Sequence, residues 1–78
     1  MSNILARVEE IVRDELDDET INLSPETQAS EVEGWDSLAH VRIVIAVEAA
    51  FGLRFDTADI TGLKNVGDLI GLVERGLA

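Results

Sequence analysis

Asp36 is followed by a run, Ser37 to Phe51, that holds neither glycine nor proline, and then by Gly52. An aspartate in that place can accept hydrogen bonds from the free N–H groups of a first helical turn. Glycine is a natural helix stop. The run is therefore predicted to be a helix, and its apolar residues fall on two sides. Ile43, Val44, Val47, Ala50 and Phe51 form one face; Leu38, Val41, Ile45 and Ala49 form a second strip nearly opposite. A helix apolar all round is ordinarily buried on all sides. In a chain of 78 residues that is hard to arrange. One face must meet the core, and the strip left over reads as a partner site.

The remaining pieces are also helical. Ser2 can cap a first helix in which Ile4, Leu5, Val8, Ile11 and Val12 recur at helical spacing, with Arg7, Glu10, Arg13 and Asp14 on the other side. A short turn from Asp56 to Thr61 carries Ile60, with Asp56 as its expected cap. A last helix opens at Asn65, with Asp68 three residues on in a pattern like a capping box. Val66, Leu69, Ile70, Val73 and Leu77 give its stripe. Gly67 and Gly71 each cost that helix about 1 kcal/mol relative to alanine, and are expected to admit a close neighbour. Residues 17–36 contain Pro25, Gly34 and several turn formers, and read as a long loop. Ile21, Leu23, Val32 and Trp35 are expected to pin it to the core. Such loops are uncommon in compact domains and usually have a function. No alternating strand pattern of useful length competes. The expected fold is all-α: a small up-and-down four-helix bundle with a long first loop and a short third helix, forming one domain over residues 1–78.

The net charge is −10, which disfavours nucleic acid and anionic membrane surfaces and favours basic protein partners. Acidity also simply keeps a small protein in solution. The charge is uneven. Residues 17–36 hold Asp17, Asp18, Glu19, Glu26, Glu31, Glu33 and Asp36 with no lysine or arginine, whereas 37–55 hold Glu48 against Arg42 and Arg54. No run approaches the roughly 18 apolar residues of a membrane span, and the first residues lack the basic-then-apolar pattern of a signal peptide. There are no cysteines, so the chain cannot do thiol chemistry by itself, and a cytoplasmic setting is the simplest reading. A monomer is the default expectation.

Ser37 is the first residue of the central helix. Unpaired N–H groups and the positive end of the helix dipole lie beside it, and such helix starts are ready-made phosphate sites. A phosphodiester there would be stabilised by roughly 0.3–1 kcal/mol. No second and third residue are in place to make this serine a nucleophile. His40, the sole histidine, reads as a packing residue one turn on. No acidic segment has the ligand spacing of a calcium loop. The expectation is a modification site, with no catalytic residues and no metal.

The stretch Gly34-Trp35-Asp36-Ser37-Leu38, the apolar helix after it, Glu48-Ala49-Ala50-Phe51-Gly52-Leu53-Arg54-Phe55 and Asn65-Val66-Gly67-Asp68-Leu69-Ile70 together resemble the acyl carrier protein family over essentially the whole chain. The resemblance implies that Ser37 receives 4′-phosphopantetheine from coenzyme A. A magnesium-dependent phosphopantetheinyl transferase would do this, the serine oxygen attacking the phosphate and adenosine 3′,5′-bisphosphate leaving. The thiol of the arm then carries an acyl or aminoacyl group as a thioester. An acyl-loading ligase or acyltransferase and a downstream synthase or transferase are the other implied partners. The core is expected to shelter part of the cargo, with Ile43, Val44, Val47, Ile60, Leu63, Val66 and Leu69 as candidate lining, though all serve equally as plain core. Asp36, Leu38, Val41, Arg42, Ile45 and Glu48 are the expected partner-facing residues. One departure stands out. Fatty-acid carriers usually have an acid-rich second helix, whereas here Arg42 and Ala49 stand on that surface with only Glu48 acidic, which points to a specialised carrier for polyketide, surface-glycan or aminoacyl chemistry. The rival readings are an unmodified acidic adaptor that docks through Leu38, Val41 and Ile45, and a small serine hydrolase.

Overall fold

The structure, a computed structural model, describes residues 3–77; the expected cap Ser2 lies outside them. Among the described residues four helices follow in order: α1 (Asn3–Leu16), α2 (Ser37–Phe51), α3 (Thr57–Thr61) and α4 (Val66–Leu77), with a short 3-10 turn at Ala29–Glu31 inside the long first loop. The fold is the expected all-α up-and-down bundle.

Val8 and Val12 of α1, Ile43 and Val47 of α2, and Val66, Leu69, Ile70 and Val73 of α4 close one apolar core, joined by Ile21 and Leu23 from the loop. Burying each such side chain stabilises the fold by about 1.5–3 kcal/mol before chain entropy is subtracted. In α2 the buried set is Ala39, Ile43, Val44 and Val47. Phe51 is half-buried and packs against that core as expected, whereas Ala50 is exposed. Leu77 is also exposed, and Leu72 takes its place in the core.

The loop from 17 to 36 is held by bonds that no periodicity reveals. Glu9 of α1 accepts from the Leu23 N–H at 2.9 Å and pairs with Arg13 at 3.1 Å. Arg13 Nε in turn donates to the Ile21 carbonyl at 2.7 Å. The two charged side chains thus clamp residues 21–23 and drive Ile21 and Leu23 into the core. Further on, the carbonyls of Thr27 and Pro25 accept from the N–H groups of Val66 and Gly67, each at 2.8 Å. The loop thereby satisfies donors at the start of α4 that would otherwise need water. Gly67 is required by this approach: a Cβ there would stand 2.9 Å from the Pro25 carbonyl oxygen. Gly71 has open space around it and admits no neighbour, contrary to expectation.

The helix ends follow the sequence with one correction. Asp36 caps α2, and Gly52 ends it in the left-handed conformation at φ 67°. The Asn65 side chain accepts from Asp68 N–H at 2.9 Å, while the Asp68 carboxylate reaches back to Lys64 N–H at 2.9 Å. Asp56 precedes α3 but its side chain makes no capping bond.

Candidate functional site

The site is built on the first turn of α2. The Asp36 carboxylate accepts from the Ala39 N–H at 2.8 Å, and the Asp36 carbonyl takes the first bond of the helical ladder from His40 N–H, also at 2.8 Å. These two bonds fix where the helix begins and place Ser37 at its first position. The Ser37 and Leu38 N–H groups belong to that same turn, before the ladder starts. Ser37 is exposed, so its hydroxyl stands at the positive end of the helix, open to an enzyme.

The second apolar strip is exposed as expected. Leu38 is 68%, Val41 49% and Ile45 57% accessible, and Ala49 lies open at the far end. Arg42 flanks the strip and reaches Glu15 of α1 at 3.6 Å, a surface pair that contributes little to stability. Glu48 does something else. It is half-buried, and its carboxylate accepts from the Phe55 N–H at 2.7 Å. That bond fastens the turn after α2, so Glu48 is used inside the molecule rather than held out beside Arg42. Asp36 is exposed at the helix start, with one carboxylate oxygen spent on the cap, and within α2 itself Arg42 is the one charged side chain that is exposed.

A surface groove of about 660 Å³ opens beside Ser37, between Trp35, His40, Val41, Ile60, Thr61 and Leu63. Trp35 packs against the core as anticipated, and also makes a bond that sequence reasoning missed. Its indole N–H donates to His40 Nδ1 at 3.1 Å. A ring nitrogen that accepts carries no proton, so the proton of this neutral imidazole sits on Nε2. From there it points to the Ile60 carbonyl of α3 at 3.3 Å. Both nitrogens of His40 are thereby engaged, one by Trp35 and one by Ile60. The spacing of Trp35 and His40 puts them near one another, but nothing in it specified the bond.

Among the described residues no cluster of His, Asp or Glu is gathered to hold a metal ion, and no helix is long and apolar enough to cross a membrane. What the site offers is one accessible hydroxyl at a helix start, an apolar strip on one side of it and a walled groove on the other. A phosphodiester-linked arm fits this arrangement: its phosphate would face the first-turn N–H groups, and the groove beside Trp35, His40 and Thr61 would take its length.

The comparisons agree with that geometry. A family model described as a phosphopantetheine attachment site matches residues 6–73. The chain is 30% identical to an acyl carrier protein of Thermotoga maritima over 95% of this chain and 91% of that one. It is 31% identical to an acyl carrier protein of Thermosynechococcus vestitus over 99% of this chain and 95% of that one. The solution structure of a holo acyl carrier protein from Geobacter metallireducens superposes with a TM-score of 0.89 at 36% identity, covering 97% of this chain and 87% of that one. Domain match, relatives and fold lead to one conclusion: the chain belongs to the acyl carrier protein family, the phosphopantetheine-bearing carriers of acyl groups.

Proposed function

We propose that Ser37 is the residue to which 4′-phosphopantetheine is joined, and that the chain itself catalyses nothing. The observation that carries this is the exposed Ser37 hydroxyl on the first turn of α2, set there by the Asp36 cap. When attached, the arm supplies a thiol on which acyl or aminoacyl groups are held as thioesters. The protein's own residues do the rest. Asp36 fixes the start of the helix, the first-turn N–H groups face the phosphate, and the groove beside Ser37 gives the arm a place to rest. The implied partners are a phosphopantetheinyl transferase, a loading ligase or acyltransferase, and a downstream synthase or transferase, in the cytoplasm. Incubation with coenzyme A, magnesium and a broad-specificity transferase, followed by peptide mapping, tests the assignment. The added mass is expected on the peptide bearing Ser37; its location on Ser2, Ser24 or Ser30 would contradict it.

Docking is proposed along Asp36, Leu38, Val41, Arg42 and Ile45. A partner matched to this face needs an apolar socket, and a cluster of basic side chains opposite Arg42 would be penalised. This favours a specialised carrier over one serving general fatty-acid synthesis. Loading by fatty-acid synthase enzymes is expected to be poor for the native protein and to improve in Arg42→Glu. Native loading as good as that of an acid-rich carrier would refute the specialisation.

A further inference from the structure

Beneath the groove at Ser37 lies a second, much smaller space. It measures about 20 Å³ and reaches from Lys64 and Asn65, before α4, to the core residues Val66 and Leu69. Ala29, Trp35, His40 and Leu63 line both spaces, so these four residues stand as a wall between the outer groove and the core residues Val66 and Leu69. The wall is braced at two points, by the indole bond to His40 Nδ1 at 3.1 Å and by His40 Nε2 on the Ile60 carbonyl at 3.3 Å. One brace comes from the end of the long loop, the other from α3, and His40 of α2 joins them.

We propose that this Trp35–His40–Ile60 chain is a closed latch that keeps cargo out of the core, so that the carrier serves short or polar acyl groups held in the outer groove rather than long alkyl chains. The proposal rests on Ser37 being the attachment point. The inner space of about 20 Å³ is close to the roughly 10–15 Å³ that a single water needs, and an octanoyl chain exceeds it. Admitting one requires moving Val66 and Leu69, which are 2% exposed each, within a close-packed interior that resists insertion. It also requires parting the Trp35–His40 bond. An alkyl chain offers no hydrogen bond in return, so the half-buried indole N–H and imidazole would lose their partners without compensation. Short or polar cargo meets no such cost. The outer groove already presents the Ser30 and Thr61 side chains beside the two rings, and its size suits a small ligand.

The test loads the full chain with acetyl- or octanoyl-phosphopantetheine, using the matching acyl-coenzyme A and the transferase. Intact mass is read first: failure to load reports on the Ser37 assignment and not on the latch. In the loaded native protein, the octanoyl chain is expected to show no nuclear Overhauser contacts to the Val66 and Leu69 methyls. Its thioester is expected to react with hydroxylamine at the same rate as the acetyl form. The sole tryptophan gives a third readout, an emission spectrum that does not depend on chain length. In Trp35→Phe, which keeps a ring but loses the donor, the octanoyl chain is expected to reach Leu69 and its hydroxylaminolysis to slow several-fold. His40→Ala makes the same test should Trp35→Phe fold poorly. Contacts to Leu69 in the native octanoyl form, or none in a folded variant that has lost the latch, would overturn the proposal.

Discussion

Asp36 and Ser37 are neighbours with divided tasks. The aspartate spends its carboxylate on the Ala39 N–H, and the serine is left exposed. Asp36→Ala is expected to lower stability by about 0.5–2 kcal/mol and to slow modification, because the helix start that presents Ser37 would fray. Chemical denaturation and a transferase time course check both effects. This pair was legible in the sequence, since a cap signal needs only a few adjacent residues. The His40 bonds were not, since a ring with two equivalent-looking nitrogens does not declare its partners. Asp18 makes a separate prediction. The Thr20 hydroxyl and N–H both donate to it, the hydroxyl having the larger effect, and hold its carboxyl below the usual carboxylate range. A lowered folded value means that this contribution to stability is complete above the unfolded carboxylate pKa. It is lost as pH falls through the lowered value. Thr20→Ala is expected to return the Asp18 titration, followed by NMR, toward the ordinary range.

At the scale of elements, α2 was the most readable part of the chain. Its two apolar sides were separable by spacing alone, and the exposed strip of Leu38, Val41 and Ile45 is where the pattern put it. The bond from the Phe55 N–H to Glu48 was not readable, because a helical wheel shows direction but not the backbone donor that awaits the side chain. The long loop was readable as a loop, and Ile21 and Leu23 as its anchors. Its clamp by Glu9 and Arg13 and its capping of α4 were hidden, because they join residues far apart in sequence that no local propensity connects. The two glycines of α4 turn this into a test. Alanine at either position gains up to about 1 kcal/mol in helix propensity. At Gly67 the new Cβ would meet the Pro25 carbonyl at 2.9 Å, and overpacking against backbone costs about 1–3 kcal/mol. Gly67→Ala is therefore expected to destabilise, while Gly71→Ala, with open space around it, is expected to stabilise. Thermal melts of the two variants should move in opposite directions.

Seen whole, the molecule keeps its acidity apart from its exposed apolar strip. The acids concentrate in the loop before Ser37, and the exposed side of α2 is apolar with a lone arginine. The bundle holds its core on one side of α2 and leaves Leu38, Val41 and Ile45 exposed on the other. Bundle class followed from chain length and helical spacing. The closed wall between groove and core did not, because it depends on three elements meeting. The central claim concerns one hydroxyl, and intact-mass analysis tests it most directly. Native protein treated with coenzyme A, magnesium and a phosphopantetheinyl transferase should gain one phosphopantetheine, and folded Ser37→Ala should gain none. A native protein that stays unmodified, or a Ser37→Ala variant that is modified as readily as the native chain, would contradict the account.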